Sequence, residues 1–304
     1  MNKHKSLGAL SLSLAASLWG GMYVVSKAVL DYIPLFTLVW LRYFVGLLVL
    51  VLFYYNHFKK EKLMIINHWK QLALIGFIGY FGSISLQFLG TKLSNAHTGS
   101  LITSATPAFM VVFAWLILKE NLTIKKILSV LLASVGVMIV IGFDFQNIQL
   151  GFGSILLVLA ALTWAYQSIL VKQTSNTLSI LSITAGSISF ALLYTTIPML
   201  LELQTATLII NNLSHLIFGV LYLGIFATAG AFFLWNKGLE YLDASHASLF
   251  FFFQPLVGSI LGWFFLSEQI TLRFYIGSVF ILIGVVLTTI KKADLRQLKP
   301  KHNL

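Results

Sequence analysis

Residues 106–123 read TPAFMVVFAWLILKENLT, and residues 254–271 read QPLVGSILGWFFLSEQIT. Each stretch is a long apolar run that has a proline near its start, then a tryptophan, then a glutamate. The pairs lie 148 residues apart: Pro107 and Pro255, Trp115 and Trp263, and Glu120 and Glu268. A chain that carries one membrane-length pattern twice is typical of a duplicated helix bundle, the architecture of many secondary transporters.

The repeat extends beyond these two stretches. Two glycines of the first half recur 148 residues later, and a tryptophan and a lysine near the start of the first half recur 145 residues later. The pairs are Gly90 and Gly238, Gly136 and Gly284, Trp19 and Trp164, and Lys27 and Lys172. We therefore predict a first five-helix repeat over residues 1–145, a second over residues 146–292, and a basic tail over residues 293–304.

The composition places the chain in a lipid bilayer. Hydrophobic residues make up 58% of the 304 positions and charged residues 10%, and the mean hydropathy is +0.90. No soluble core could bury this much apolar surface. Cysteine is absent, which excludes disulfides, thiolate metal ligands and cysteine nucleophiles.

Apolar segments of about 20 residues predict transmembrane helices. Ten such segments are found, five in each half, which predicts an all-α integral membrane protein. They cover residues 7–30, 35–54, 70–90, 96–118, 124–142, 151–171, 180–200, 215–236, 244–266 and 272–290.

The distribution of basic residues predicts the orientation. Sixteen of the 20 lysines and arginines fall on one side of the ten segments if both termini are cytoplasmic, as the positive-inside rule requires. Because five helices per repeat is an odd number, the second copy enters the membrane from the opposite face, which makes a 5+5 inverted-topology repeat. We expect a multi-pass protein of the cell membrane.

Enzyme and nucleic-acid signals are missing from the sequence. No H-E-x-x-H, G-x-S-x-G or Walker motif occurs, and no pair of carboxylates lies inside an apolar segment. His97 and His246 occupy related places in the two halves but have no third ligand nearby, so we predict no metal and no cofactor. The basic tail is a topology determinant rather than a nucleic-acid arm. We expect no enzyme activity and no nucleic-acid partner.

Arg42 is the charged residue placed deepest in an apolar segment. A charge at this depth costs several kcal/mol, about 3 on insertion scales, unless it is partnered. It therefore contacts either backbone carbonyls and a loop acid, as a structural device, or an anionic group of a substrate. In the second half the matching position holds Ser187, so Arg42 is not part of a symmetric structural pair.

Uncharged polar and aromatic residues inside the segments mark candidate binding positions. Tyr80, Ser83 and Gln87 share one helical face by their spacing, and this face either lines a cavity or holds helices together. Trp19 and Trp164 lie well inside their segments, away from the interfacial belts where tryptophan collects. Gln167 lies one turn from Trp164.

The repeated prolines predict interrupted helices. Pro107 and Pro255 follow Thr106 and Gln254 in corresponding segments. A proline frees a carbonyl one turn earlier, which a membrane tolerates where neighbours or a water-lined cavity satisfy it. We interpret the paired breaks as helix-break and gating positions, with a packing kink as the alternative.

The order of these features resembles the EamA-type members of the drug/metabolite transporter superfamily. The resemblance rests on Trp19-Gly20, on Leu-Arg-Tyr at Arg42 and on the twin runs that follow Pro107 and Pro255, and it covers residues from about 7 to 290. It implies a ten-helix inverted-repeat carrier whose cavity is lined by helices one, three, four, six, eight and nine. Carried over by position, it adds Thr98, Trp235 and Phe252 to the candidate substrate-binding residues.

We therefore predict a secondary transporter that moves small organic solutes, amino acids or related metabolites, by alternating access and in the direction of export. Drug-efflux and sugar-type carriers of the same fold remain alternatives, as do a membrane scaffold and an intramembrane enzyme. With no carboxylate deep in the bundle, transport is either facilitated diffusion or loosely proton-coupled through His97 or His246. The expected partners are a small-molecule substrate and the bilayer, and the protein is a monomer or a homodimer.

Overall fold

A computed structural model describes residues 3–30, 32–93, 103, 106–141, 152–205, 213–266 and 272–289. All regular structure in these ranges is helical, which confirms the all-α prediction for the part of the chain described. The α-helices are α1 (Lys3–Leu30), α2 (Leu35–Asn67), α3 (Trp69–Ile75), α4 (Ile84–Leu93), α5 (Thr106–Ile117), α6 (Ile124–Ile141), α7 (Phe152–Thr174), α8 (Ile180–Thr205), α9 (Leu213–Leu221), α10 (Ala231–Tyr241), α11 (Ala244–Ala247), α12 (Phe253–Leu266) and α13 (Leu272–Thr289).

Six helices of the described ranges are long and apolar enough to cross a membrane. They cover His4–Ser26, Leu35–Asn67, Trp69–Gly90, Ile155–Thr174, Ile180–Thr205 and Leu213–Tyr241. Large apolar side chains project outward from them, and Phe53, Ile197 and Phe218 are each more than two thirds exposed. Such surface is stable against lipid but not against water. The chain is a multi-pass membrane protein.

Helix α2 is longer than the apolar segment that predicts it. The sequence indicates an end at residue 54, whereas the helix continues to Asn67. Tyr54 has non-helical dihedral angles, φ −124° and ψ 20°, so the predicted end coincides with a kink. The polar residues beyond the kink extend the helix past the membrane-length portion.

Two π-helical segments interrupt the bundle at equivalent places in the two halves. The first, π1, covers Gly76–Ser83 between α3 and α4. The second, π2, covers Tyr222–Gly230 between α9 and α10. A π-helix is wider than an α-helix and frequently occurs at functional sites. The apolar pattern of the sequence contains no signal for either segment.

The repeated prolines lie inside helical runs of the two halves. Pro107 is the second residue of the described part of α5, and Thr103, about one turn earlier, is helical as well. Pro255 is the third residue of α12, which follows the 3₁₀ segment at Ser248–Phe252 without a break. The helical geometry therefore changes just before Pro255, and gating at both prolines stays a prediction.

Helix pairs recur between the halves, and repeated glycines lie at the contacts. A Cβ atom on Gly90 of α4 would lie 2.9 Å from the carbonyl oxygen of Gly153 in α7, and one on Gly238 of α10 would lie 3.1 Å from that of Gly8 in α1. These close approaches explain why glycine stands at positions 90 and 238, since any side chain there would push the helices apart.

Candidate functional site: an uncharged aromatic cavity

A cavity that opens to its surroundings lies between the two halves of the chain, with about 410 Å³ of empty space when the open part is included. Its walls come from α1, π1, α4, α5, α7, α10, the 3₁₀ segment and α12, with Thr103 as a further wall residue. The lining residues are Trp19, Met22, Ser83, Ile84, Gln87, Thr103, Thr106, Ala160, Ala161, Trp164, Phe232, Phe251 and Gln254. The lining residues lie around the middle of the helical runs: Met22 and Gln87 are closer to the end where α1 and α4 finish, whereas Phe232 and Phe251 are closer to the end where α10 finishes.

No lining residue carries a charge. Polarity comes instead from hydroxyl groups and from the carboxamides of Gln87 and Gln254. The hydroxyl of Ser83 donates to the carbonyl oxygen of Ala160 at 2.7 Å, and that of Thr106 donates to the carbonyl oxygen of Thr103 at 2.6 Å. These two hydroxyls are left to act as acceptors, and a carboxamide group carries both donors and an acceptor.

Aromatic rings form one wall of the cavity. The repeat partners Trp19 and Trp164 meet edge to face, with ring centroids 5.2 Å apart and an interplanar angle of 88°. Phe232 lies 5.9 Å from Trp19 and 5.5 Å from Trp164, and Phe251 stacks on Trp19 at 5.6 Å. Interlocked rings of this kind make a rigid apolar surface.

The two tryptophans differ in hydrogen bonding. Nε1 of Trp19 donates to the carbonyl oxygen of Ala227 at 3.0 Å, within π2. Nε1 of Trp164 is buried and has no hydrogen-bond partner among the residues described. A buried donor without a partner costs free energy, so this indole can gain from a ligand that offers an acceptor.

Three predicted site residues form a second layer behind the cavity wall. Tyr80 stacks on Phe232 with centroids 4.4 Å apart, and its hydroxyl accepts a hydrogen bond from Nδ2 of Asn236 at 3.0 Å. Trp235 is fully buried and its indole donates to Ser168 at 3.3 Å. Gln167 is also fully buried. None of the three is a lining residue, so they position the wall.

Arg42 is fully buried and is held by the other half of the chain. Its Nε atom donates to the hydroxyl of Thr228 at 2.8 Å, Nη2 donates to the carbonyl oxygen of Ala227 at 3.3 Å, and Nη1 lies 3.3 Å from the sulfur of Met22. Its guanidinium also lies 5.8 Å from the ring of Phe232. Arg42 does not line the cavity, but Met22 and Phe232 do. No acidic partner is found for it in the described part of the chain.

The remaining predicted residues lie elsewhere. Phe252 is buried, and its neighbour Phe251 lines the cavity instead, because the 3₁₀ geometry of this segment shifts the faces relative to an α-helix. Thr98 and His97 fall outside the described residues. His246 belongs to α11, whose residues do not line the cavity.

His246 pairs with an acid next to it in sequence. Its Nδ1 atom lies 3.1 Å from Oδ2 of Asp243, and this hydrogen bond lowers the pKa of Asp243 to about 2. Within the ranges that the structure describes, no three His, Cys, Asp or Glu side chains are grouped so that they could hold a metal ion.

Sequence reasoning missed several lining residues, most notably Thr106 and Gln254. Both were visible as the residues that precede the repeated prolines. Their equivalent positions in the two halves were the signal that could have identified them. Met22, Phe232 and Phe251 belong to continuous apolar runs, where sequence alone does not distinguish a cavity wall from a lipid-facing surface.

The sequence also matches a known family along nearly its whole length. A sequence model described as the EamA-like transporter family matches residues 6–142 and again residues 151–290. The chain belongs to the EamA-like transporter family. This confirms the resemblance inferred from the sequence, and it makes the protein a membrane transporter with a small-molecule substrate.

Two bacterial relatives and one solved structure illustrate the similarity. The uncharacterized transporter YoaV of Bacillus subtilis (strain 168) is 24% identical over 286 residues, which cover 93% of this chain and 96% of the relative. The permease-like protein YdzE of the same organism is 60% identical over 72 residues, or 24% of this chain and 92% of its own length. A protein of known crystal structure has a TM-score of 0.79 at 18% identity and covers 97% of this chain and 99% of its own, a likeness that concerns the fold alone.

Proposed function

We propose that this EamA-like protein is a secondary transporter that moves small organic solutes across the cell membrane by alternating access. The proposal includes ten transmembrane helices in a 5+5 inverted-topology repeat, with repeats over residues 1–145 and 146–292 and both termini in the cytoplasm. Export of amino acids or related metabolites is the direction and substrate class we favour. The observation that carries the proposal is the cavity, because it lies between the halves and is lined by equivalent residues from each.

The duplicated contacts support the mechanism. Alternating access in an inverted repeat requires two halves that can exchange conformations. Equivalent helix pairs approach through equivalent glycines in the two halves, as at Gly90 and Gly238. Equivalent residues also meet at the cavity, namely Trp19 with Trp164 and Thr106 with Gln254. Because the contacts in the two halves are equivalent, each half can adopt the conformation of the other. That exchange would open the cavity to one side of the membrane and close it to the other.

The lining favours a solute without net charge. Desolvating an ion in a cavity with no charged wall residue is costly, so a polyanion or polycation is disfavoured. Trp19 and Trp164 offer stacking surface, while Gln87 and Gln254 offer hydrogen bonds to polar groups. Arg42 lies behind Met22 and Phe232, where its charge favours the carboxylate end of a zwitterion without a direct contact.

Coupling to protons has little support at the cavity. No lining residue is an acid or a histidine, and His246 is paired with Asp243. We therefore favour facilitated diffusion, with loose proton coupling through His97 or His246 as the alternative. If an imposed pH gradient accelerates solute flux in proteoliposomes, transport is coupled to protons and facilitated diffusion alone is excluded.

The proposal is tested by substrate flux in proteoliposomes. A thermal-stability screen of the purified protein against amino acids, sugars, nucleotides and lipophilic cations first identifies a stabilising class, since a ligand that binds the folded state raises apparent stability. We expect amino acids to stabilise, and we expect Trp19→Ala and Trp164→Ala each to slow flux by about tenfold, as expected for losing about 1.4 kcal/mol of ring contacts.

Trp40→Ala serves as the matched control for these variants. The indole of Trp40 donates to Thr196 at 3.1 Å on a pair of helices away from the cavity, so its loss should leave flux near the parental rate. Full flux in both cavity variants would contradict the site. Stabilisation by sugars or by lipophilic cations alone would select the sugar-type or drug-efflux alternative, and no flux of any class would favour a scaffold.

A further inference from the structure

At one end of the bundle, charged side chains connect separate helices. At this end α5 and α7 finish, α10 finishes at Tyr241, and α11 begins at Ala244. The start of α1 lies here as well, since the rings of His4 and Tyr241 are 5.5 Å apart. The basic-residue distribution predicts that this end faces the cytoplasm.

Glu120 connects two separate helices at this end. It follows α5, and its Oε1 accepts a hydrogen bond from the backbone N–H of Ala244 at 2.7 Å. Its Oε2 accepts from the backbone N–H of Ser245 at 3.2 Å and from the hydroxyl of Ser245 at 2.5 Å. The first N–H groups of a helix have no partner within the helix, so the carboxylate satisfies donors that would otherwise be left unpaired.

Lys172 holds the chain just before α11 from the other direction. Its ammonium group donates to the carbonyl oxygens of Leu239 at 2.5 Å, Glu240 at 3.3 Å and Leu242 at 2.9 Å. Lys172 belongs to the last turn of α7, so it connects α7 to the end of α10. The segment 239–245 is therefore bound through its carbonyls by α7 and through its N–H groups by Glu120.

Two ammonium groups act on the Glu120 carboxylate. The ammonium of Lys126 lies 3.4 Å from Oε2, and both side chains are largely buried. Lys172 also interacts electrostatically with Glu120, and with Asp243 and Glu240. Hydrogen bonds to an ionised group are about twice as strong as neutral ones, so the three bonds to Glu120 are strong contacts.

We propose that the Glu120 carboxylate is the latch of this end of the transporter, and that its bonds to Ala244 and Ser245 must break before the cavity opens to that side. The latch rests on the proposed transport function. In the conformation described, the Glu120 bonds hold the end of α5 against the start of α11. A solute leaves by this end only after the two helices separate.

Another glutamate in the chain makes similar bonds without lying at this end. Oε2 of Glu202 accepts from the backbone N–H of Thr37 at 2.8 Å and from its hydroxyl at 3.2 Å. These bonds connect the end of α8 to the start of α2. At the other end of the same helix pair, Glu61 accepts from Ser179 and Ser182, both at 2.7 Å. With carboxylates at both ends, α2 and α8 form one unit, which makes Glu202 a matched control.

The test is cysteine labelling, which needs no substrate. Because the natural chain has no cysteine, Gln254→Cys gives a single thiol at the cavity. A membrane-impermeant maleimide is applied to inside-out and to right-side-out vesicles. We expect Glu120→Gln to raise the labelling rate by about tenfold in only one of the two orientations, the change for losing about 1.4 kcal/mol of charge-assisted hydrogen bonding. Ser245→Ala should raise it less, and Glu202→Gln should not raise it.

The outcomes separate the latch from general loosening and from the proposed function. Unchanged labelling in both Glu120→Gln and Ser245→Ala would overturn the latch. An equal rise in Glu202→Gln, or a rise in both vesicle orientations, would also overturn it, because a general loss of packing would explain either result. If Glu120→Gln does not insert, Ser245→Ala decides, since it keeps the two backbone bonds. A latch without measurable flux would contradict the proposed substrate class and leave the gating result standing.

Discussion

The segments π1 and π2 occupy equivalent positions and make the same backbone contacts, yet they bind different side chains. A Cβ atom on Gly76 of π1 would lie 2.6 Å from the carbonyl oxygen of Ser187 and 3.0 Å from Cβ of Phe190. One on Gly224 of π2 would lie 3.2 Å from the carbonyl oxygen of Arg42 and 2.5 Å from Cβ of Val45. Ser187 and Phe190 follow Arg42 and Val45 by 145 residues, so the approach of the helices is duplicated.

The side chains at this duplicated contact are not equivalent. At π2, Arg42 donates to Thr228 and to the carbonyl oxygen of Ala227. At π1, the corresponding Ser187 has a buried hydroxyl with no partner among the residues described. The carbonyl of Tyr80, one residue after the position equivalent to Ala227, instead accepts from the hydroxyl of Tyr43. Duplication kept the backbone geometry, whereas the chemistry diverged.

The largest effect should come from the charged side chain. Arg42→Ala should lower the free energy of unfolding by about 3 kcal/mol, because it leaves a cavity and removes the donor that holds α2 to π2. Ser187→Ala should cost less than about 1 kcal/mol, since its hydroxyl has no partner to lose. Thermal unfolding in detergent measures both. If both variants lose the same free energy of unfolding, the different side chains at the two contacts do not contribute differently to stability.

The duplicated approach predicts equal effects of the two glycines. Gly76→Ala and Gly224→Ala should each cost about 2 kcal/mol, because the added methyl group meets backbone or Cβ atoms that cannot move away. Gly258→Ala is the control, since its nearest neighbour, the carbonyl oxygen of Gly20, lies at 3.5 Å. That variant should be neutral or slightly stabilising. A clear difference between Gly76→Ala and Gly224→Ala in the same unfolding assay would mean that the two contacts are not equivalent.

The smallest loss of stability should come from removing the Tyr43 hydroxyl, which donates a hydrogen bond to a carbonyl oxygen of π1. Tyr43→Phe removes the donor to the carbonyl of Tyr80 and should cost about 1 kcal/mol, the net value of a buried hydrogen bond. Tyr222→Phe removes a bond of 2.9 Å to the carbonyl oxygen of Leu18 at a half-buried position and should cost less, because the groups it leaves unpaired are less completely buried. The comparison fails if Tyr222→Phe is the more damaging variant in thermal unfolding.

The sequence predicted the helical class, the family and much of the cavity. Trp19, Trp164, Ser83 and Gln87 were recognised from their depth and spacing, and all four line the cavity. These assignments were possible because a polar or amphipathic group in a membrane segment is costly unless it faces the protein interior. The number of membrane spans, the repeat boundaries and the functional roles stay predictions.

Sequence reasoning failed where local geometry departs from the α-helix. Phe252 was carried over by position from the family resemblance, whereas its neighbour Phe251 lines the cavity in a segment that is 3₁₀. Tyr80 was placed at the cavity with Ser83 and Gln87, yet it lies behind Phe232, because Tyr80 and Ser83 both belong to π1, whose wider turns change the angle between residues three positions apart. The hydrogen bond between Glu120 and Ser245 was missed for another reason, since the two residues are 125 positions apart in the sequence.

The sequence by itself determined that this chain is an all-α membrane protein with a repeated pattern, because hydropathy, basic-residue bias and the prolines are local properties. Only the tertiary structure decided which polar groups meet. Arg42 reaches π2 rather than the cavity, and Glu120 reaches the start of α11. The physical reason is that buried hydrogen bonds and charges are satisfied by neighbours in space, and those neighbours come from distant parts of the chain.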